Sequence, residues 1–157
     1  MITARDIMTT QLTTLTPDMA FTSAAKILLD NHFNGAPVVD ENGKLVGILC
    51  QSDLVAQHKK LPVPTLLTLL DSFVRLTPSK QLEKQARKIA ALTVGEAMTA
   101  DPITVRPDTV IDTIAGLMVD SNLHTLPVVE EGQLIGIVGK EDVLRTLLSD
   151  VPGSKAI

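Results

Sequence analysis

The chain contains the same pattern of residues twice. Its matched positions lie 90 residues apart, as Met8-Thr9 with Met98-Thr99, Pro17-Asp18 with Pro107-Asp108, and Pro37-Val38-Val39 with Pro127-Val128-Val129. Further on, where the second copy lacks one residue in a turn, Gly47-Ile48 and Asp53 recur 89 residues later as Gly136-Ile137 and Asp142. Two copies of one supersecondary unit are expected to bury their apolar faces against each other. The repetition therefore predicts a pseudo-twofold pair of repeats.

The first copy carries local signals for five elements in the order β-α-β-β-α. Thr13-Thr14-Leu15 is a short β-prone run, and Thr22 is a good N-cap for the amphipathic helix that follows. Two apolar strand runs then flank Asn42-Gly43, which favours a two-residue hairpin turn, and a second helix begins near Asp53. The second copy has the same signals at Ile103-Thr104-Val105, Asp112, Glu131-Gly132 and Asp142. The predicted fold class is α/β, of the α+β kind, with the two repeats packed through their sheets.

The segment between the copies is the second constraint on the organisation of the chain. About 35 residues is too long for a structureless loop inside a compact module, and Leu82, Gln85, Ala86 and Ile89 follow helical spacing. We therefore predict repeat 1 at residues 1–57, a mostly helical insert at 58–94, repeat 2 at 95–150 and a short C-terminal tail at 151–157. The insert either packs on its own module or serves as a dimerisation arm or docking surface.

Composition excludes several classes of protein. Cys50 is the sole cysteine, so there is no disulfide framework and no thiol cluster for zinc. The chain has no long apolar run and no signal-peptide stretch at its N-terminus, which predicts a cytoplasmic protein without a membrane span. With no Trp, no Tyr, three Phe and a formal charge of −4, nucleic acid is not an expected partner. Neither a G-x-S-x-G motif nor a P-loop is present, so an enzyme is not expected.

The order of elements, the P-V-V strand and the G-[IV]-[ILV]-x-x-x-D junction between strand and helix resemble the cystathionine-β-synthase (CBS) domain. The resemblance covers about two thirds of the chain in two copies, and a tandem pair is similar to a Bateman module, here in a stand-alone bacterial or archaeal CBS domain protein. It implies a non-enzymatic regulatory module that binds AMP, ADP, ATP or S-adenosylmethionine in clefts between the repeats and transmits occupancy to a protein partner. No cofactor is required. The alternative is a ligand-free scaffold that dimerises or docks a partner.

The same resemblance implies that Asp53 and Asp142 accept hydrogen bonds from ribose hydroxyls. An ionised carboxylate is acceptor-only and pairs well with two adjacent hydroxyls. The plainer interpretation is that each aspartate occupies the first turn of its helix, where the dipole favours an anion, and both roles can coexist. Many nucleotide-binding members have Thr or Ser three residues earlier, whereas this chain has Cys50 and Gly139. That departure lowers the expected affinity, and lowers it more at Asp142. The alternative is that Gly139 lets a phosphate approach the backbone amides at the start of the helix.

By the family pattern each aspartate shares a cleft with residues of the other repeat. Asp53 would be joined by Ile103, Thr104, Leu123, His124 and Thr125, and Asp142 by Thr13, Thr14, Phe33, Asn34 and Gly35. His124 either senses a phosphate or is an ordinary loop histidine. Because Gly139 and Gly35 remove two side chains from the second cleft, the sequence predicts tighter binding at Asp53.

A homodimer is the predicted assembly. Family pairs usually form a disc of four repeats through their helices. The helical stretches of this chain have apolar positions with no obvious cover in their own repeat, namely Val55, Leu144, Leu147 and Leu148. An exposed apolar patch of this kind normally marks an interface.

Overall fold

The structure is a computed structural model that describes residues 1–57 and 92–149. In chain order these residues form α1 (Ala4–Ile7), α2 (Phe21–Asp30), β1 (Gly35–Val39), β2 (Leu45–Cys50), α3 (Gln51–Ala56), α4 (Val94–Ala97), β3 (Thr99–Ala100), α5 (Ile111–Asp120), β4 (Thr125–Glu130), β5 (Gln133–Gly139) and α6 (Lys140–Ser149). The predicted C-terminal tail and all of the predicted insert but its last three residues lie outside the described residues. Within the described ranges, no helix has the length and apolarity needed to cross a bilayer.

The described residues divide into two compact units. The first-repeat unit comprises Thr14–Asn42 and the described part of Val46–Asp101, and it holds the sheet β1-β2-β3. Strand β3 pairs antiparallel with β2, so that Ile48 lies opposite Thr99. Helix α2 covers this sheet with the apolar stripe that its 3–4 spacing predicts, because Phe21 and Leu28 are fully buried.

The second-repeat unit comprises Met1–Thr13, Gly43–Leu45 and the described residues from Pro102 on. Its strands β4 and β5 form an antiparallel hairpin in which Glu130 lies opposite Gln133. The two residues between them, Glu131 and Gly132, both have positive φ, as a two-residue turn of the predicted kind requires. Buried side chains from all of its helices and strands form the core of this unit: Ala4, Val105, Ile114, Met118, Leu126, Val128, Val138 and Val143.

Each unit is completed by a segment from the start of the other repeat. Helix α1 belongs to the second-repeat unit, where the Ala4 amide donates to the Thr109 carbonyl at 2.8 Å. Helix α4 belongs to the first-repeat unit, where the Gly95 amide donates to the Pro17 carbonyl at 2.9 Å. The compact units and the sequence repeats are therefore different sets of residues, and the domain boundaries given above remain a prediction about the repeats.

The predicted N-caps of α2 and α5 are wrong by two residues. The helices begin at Phe21 and Ile111, so Thr22 and Asp112 lie inside the first turn. The Phe21 amide donates to the Leu92 carbonyl at 2.9 Å, and the Ile111 amide donates to the Ile2 carbonyl at 3.0 Å. The first amides of a helix have no hydrogen-bond partner within the helix. Since these two donate to carbonyls of another segment, they need no capping side chain.

The first predicted strand of each copy is shorter than expected. The first β-prone run of each copy pairs through one residue only, in parallel bridges of Leu15 with Val38 and of Val105 with Val128. A proline follows two residues later in both copies and has no amide to extend the pairing.

The Asn42-Gly43 turn is part of a five-residue loop between β1 and β2 rather than a two-residue hairpin turn. The Asn42 amide donates to Asp40 Oδ1 at 2.9 Å, and Gly43 takes a φ of +77°. An aspartate side chain that bonds the amide two residues on stabilises this wider loop.

Candidate functional site

Asp53 has both carboxylate oxygens engaged. It is the third residue of α3, directly after β2, and its Oδ2 accepts a hydrogen bond from the Cys50 amide at 2.7 Å. Its Oδ1 accepts a hydrogen bond from the Thr99 hydroxyl at 3.1 Å. The first bond is the local one that a carboxylate makes in a capping box. The second ties α3 to the segment that leads into the second repeat.

Asp142 repeats the first of these bonds but not the second. Its Oδ2 accepts from the Gly139 amide at 2.8 Å. Within residues 1–57 and 92–149, no group donates to its Oδ1. Thr9, the counterpart of Thr99, pairs its backbone with Ile137 as Thr99 pairs with Ile48, yet its hydroxyl has no described acceptor. Asp142 therefore has one carboxylate oxygen that accepts from the backbone and one that has no donor among the described residues.

The plainer interpretation of the two aspartates is thus correct as far as it goes. Each carboxylate stabilises the first turn of a helix by accepting from a backbone amide three residues earlier. This bond also fixes the orientation of the carboxylate, so the remaining oxygen points in a defined direction. A helix-stabilising role and a ligand-binding role remain compatible, most simply at Asp142.

Cys50 is half-buried at the N-cap of α3. Burial, and after it the negative charge of Asp53, raise the pKa of the Cys50 thiol to about 11. A thiol with that pKa is protonated at neutral pH and is a poor nucleophile. Gly35 lies against it, since a Cβ built on Gly35 would be 3.0 Å from Cys50 Sγ. The structure therefore brings together, within one unit, two residues that the sequence assigned to different clefts.

The segments before the P-V-V strands are fixed by the helices that follow the hairpins. The Gln51 amide donates to the Asn34 carbonyl at 2.9 Å, and the Lys140 amide donates to the His124 carbonyl at 2.9 Å. In the first-repeat unit the Gln51 side chain also donates to the Phe33 carbonyl, at 2.8 Å. No described side chain donates to the corresponding carbonyl of Leu123. In the first copy a side chain of the same unit donates to this carbonyl, and in the described part of the second copy none does.

The remaining predicted site residues differ in exposure. Thr125 is the buried polar residue of the described chain, at 8% exposure, and it lies opposite Gly139 in the β4–β5 hairpin. Its hydroxyl has no described hydrogen-bond partner. The others in this group are exposed: Thr13, Thr14, Ile103, Thr104 and His124. The predicted groupings of these residues with Asp53 and Asp142 join different units, and they remain predictions.

An apolar cleft that the sequence did not predict lies between α5 and α6. It has a volume of about 380 Å³, and its lining includes Met118, Leu123, His124, Lys140, Val143 and Leu147. Neither Asp53 nor Asp142 is among its lining residues. Signals for this cleft were present in the sequence as the apolar helix positions assigned to an interface. In the described part of the chain, no group of three or more His, Cys, Asp or Glu side chains is placed to hold a metal ion.

Comparison with known proteins places these features in a family context. The family model of the CBS domain matches residues 4–59 and 94–149. The protein MJ1426 of Methanocaldococcus jannaschii is 35% identical over 131 residues, which cover 78% of each chain. The chloroplastic CBS domain-containing protein CBSX2 of Arabidopsis thaliana is 31% identical over 153 residues. That match covers 93% of this chain, which spans 63% of the length of CBSX2.

Two solved structures have a similar fold. The crystal structure of CBSX2 in complex with AMP is 29% identical with a TM-score of 0.72, and the match covers 95% of this chain and 98% of that one. The CBS domain pair of protein MJ0100, in complex with 5′-methylthioadenosine and S-adenosyl-L-methionine, is 27% identical with a TM-score of 0.70. This second match covers 96% of this chain and 98% of that one. The predicted resemblance and the mixed α+β fold class are confirmed.

Proposed function

The chain belongs to the CBS domain family, and we propose that it is a non-enzymatic regulatory module for an adenosine-containing ligand. The ligand class comprises AMP, ADP, ATP and S-adenosylmethionine, and occupancy is passed on to a partner protein. The single observation that carries the proposal is the carboxylate of Asp142. Its Oδ2 accepts from the Gly139 amide at 2.8 Å, and its Oδ1 has no donor among the described residues.

The chemistry of that carboxylate suits a ribose. Two adjacent ribose hydroxyls are donors about one carboxylate width apart, and an ionised carboxylate offers acceptor positions on both oxygens. Charge-assisted hydrogen bonds of this kind are stronger than neutral ones, and an oxygen without a protein donor needs no rearrangement before it accepts. Asp142 therefore supplies an acceptor for the part of the molecule that all adenosine compounds share.

The relatives support the same ligand class. AMP, 5′-methylthioadenosine and S-adenosyl-L-methionine, named in the two solved complexes, have adenine and ribose in common and differ at the 5′ substituent. The matched family is not a catalytic one, and the protonated Cys50 thiol offers no nucleophile at neutral pH. Binding without chemistry is the simplest function that fits both observations.

We expect adenosine compounds to raise the melting temperature. At a ligand concentration of about 100 times Kd, binding to the folded state alone stabilises it by about 2.7 kcal/mol. For a chain of this length that moves the melting temperature by several degrees. A thermal-shift panel of AMP, ADP, ATP and S-adenosylmethionine at millimolar concentration measures this, with CMP as the adenosine-free control. If all four compounds leave the melting temperature where CMP leaves it, the ligand-free scaffold is the better description.

A second surface supports assembly, and we propose that the protein is a homodimer through its helices. Helices α5 and α6 expose apolar side chains beside the 380 Å³ cleft, with Val119 80% exposed and Leu148 59% exposed. Leu144 and Leu147 line the cleft and are more than 40% exposed. A continuous apolar surface of this kind is typical of protein interfaces.

The dimer is tested by placing a charge in this surface. We expect the wild type to have a dimeric mass by light scattering at tens of micromolar, and Leu144→Glu to shift the mass toward the monomer because an unpaired carboxylate resists burial. Ile103→Glu is the matched control, since Ile103 has a similar exposure of 42% and lies outside the helices. A monomeric wild type, or equal shifts in both variants, would contradict the proposed interface.

A further inference from the structure

The two threonines at the same position of the two repeats differ in one contact. Thr99 and Thr9 hold the same backbone position, opposite Ile48 and Ile137 respectively. The hydroxyl of Thr99 donates to Asp53 Oδ1 at 3.1 Å, whereas the hydroxyl of Thr9 has no acceptor among the described residues. Since the backbone pairing is shared, the difference lies in the side-chain contact alone.

This contact occupies one acceptor position on the oxygen that would otherwise have no protein donor. Asp53 Oδ2 already accepts from the Cys50 amide at 2.7 Å, and Oδ1 accepts from the Thr99 hydroxyl. A carboxylate oxygen has two acceptor positions, so a ribose hydroxyl at Oδ1 either shares the oxygen with Thr99, in a weaker bond, or takes the place of the threonine hydroxyl for little net gain. At Asp142 a ribose hydroxyl does not compete with a protein hydroxyl, because Oδ1 has no described donor.

We propose that Thr99 regulates the Asp53 site by competing with the ligand for the carboxylate. The two aspartates are thereby unequal. No described group donates to Asp142 Oδ1, whereas the Thr99 hydroxyl donates to Asp53 Oδ1, and we call this second contact the guard. The inference rests on the proposed function, since it concerns how an adenosine ligand reaches one of the two aspartates.

The guard also couples the Asp53 carboxylate to the segment that contains Thr99. Thr99 follows α4, which is held on the first-repeat unit by the bond from the Gly95 amide to the Pro17 carbonyl. Two residues after Thr99, Asp101 has a φ of +50°, and the chain leaves the first-repeat unit at that residue. A ligand that shares Asp53 Oδ1 weakens the side-chain bond between α3 and β3. By linkage, whatever pulls Thr99 off Asp53 strengthens ligand binding there by the same factor.

The experiment is Thr99→Val in a chain where only Asp53 remains. Valine keeps the shape and β-propensity of threonine and removes the hydroxyl. In the Asp142→Asn background we expect Thr99→Val to tighten AMP binding about 3- to 10-fold by calorimetric titration, the worth of one net hydrogen bond. Thr9→Val in the same background is the matched control and is expected to leave the AMP affinity unchanged. Adding Asp53→Asn to Thr99→Val should abolish the gain.

The outcomes distinguish failure of the guard from failure of the proposed function. If AMP binds the parent and Thr99→Val leaves its Kd unchanged or weakens it, the guard is overturned and the proposed function stands. A gain of equal size from Thr9→Val also overturns it, because the effect is then not specific to the Asp53 contact. If none of AMP, ADP, ATP and S-adenosylmethionine binds the wild type or any Thr99→Val variant by titration, the proposed function and the guard fall together.

Discussion

Gly47→Ala is expected to destabilise the protein by about 1–3 kcal/mol, the usual cost of overpacking a filled site. A Cβ built on Gly47 would lie 2.5 Å from Met98 Sδ and 2.9 Å from the Thr99 carbonyl oxygen. The methionine side chain can move, but the Thr99 carbonyl belongs to β3, which is paired with β2. Relief therefore requires a shift of backbone, and the melting temperature should fall by several degrees.

Two other glycines serve as controls for Gly47→Ala. The three atoms nearest to a Cβ on Gly136 all belong to the Met8 side chain, with no backbone atom among them, so Gly136→Ala should cost less. Gly116 lies inside α5 with nothing within 4 Å of the built Cβ, so Gly116→Ala should stabilise by about 0.5–1 kcal/mol through helix propensity. Urea denaturation of the three variants measures the order. A Gly47→Ala protein as stable as Gly116→Ala would contradict the close packing of β2 on Met98.

These methionine–glycine contacts illustrate what the sequence predicts and what it does not. The recurrence of Met-Thr and Gly-Ile in both copies was visible in the sequence as a repeat. The structure pairs Met98 with Gly47 and Met8 with Gly136, so each methionine packs on the glycine of the other repeat. Nothing in the local pattern of one copy encodes that exchange, because it is a property of which segment completes which unit.

The same distinction explains the errors in the helix starts. The turn at Glu131-Gly132 was predictable because its positive φ values depend on those two residues. The start of α2 was not, because the group that satisfies the Phe21 amide is the carbonyl of Leu92, which is distant in sequence. Local capping preferences favour Thr22 only when no such carbonyl is present.

The candidate site divides in the same way. The positions of Asp53 and Asp142 at helix starts follow from the strand-to-helix junction, and each local bond to an amide three residues earlier is present. The contact of Thr99 with Asp53 joins residues 46 apart in the sequence. It could not be read from the motif, and it changes the expected order of the two aspartates. The sequence ranked the sites by the side chains around them, whereas the structure adds the availability of the carboxylate oxygens.

Asp142→Asn is expected to weaken AMP binding about 10- to 100-fold, because an asparagine loses a charge-assisted pair of hydrogen bonds to ribose. Its amide oxygen can still accept from the Gly139 amide, which keeps the first turn of α6 intact. Asp53→Asn should weaken AMP binding less, since the Thr99 hydroxyl already holds Asp53 Oδ1 in the free protein. Calorimetric titration of both variants gives the two affinities, and their melting temperatures without ligand verify that the fold is kept.

This order is the reverse of the one predicted from the Gly139 and Gly35 substitutions, so the measurement discriminates between two physical arguments. If missing side chains around the ribose decide affinity, Asp53→Asn should cause the larger loss. If competition for the carboxylate decides it, Asp142→Asn should cause the larger loss, and Thr99→Val should bring the two variants closer together. Unchanged affinity in both variants would remove the aspartates from the site altogether. We expect competition to decide, because a carboxylate oxygen that already accepts one hydrogen bond gains less from a second donor than an oxygen that accepts none.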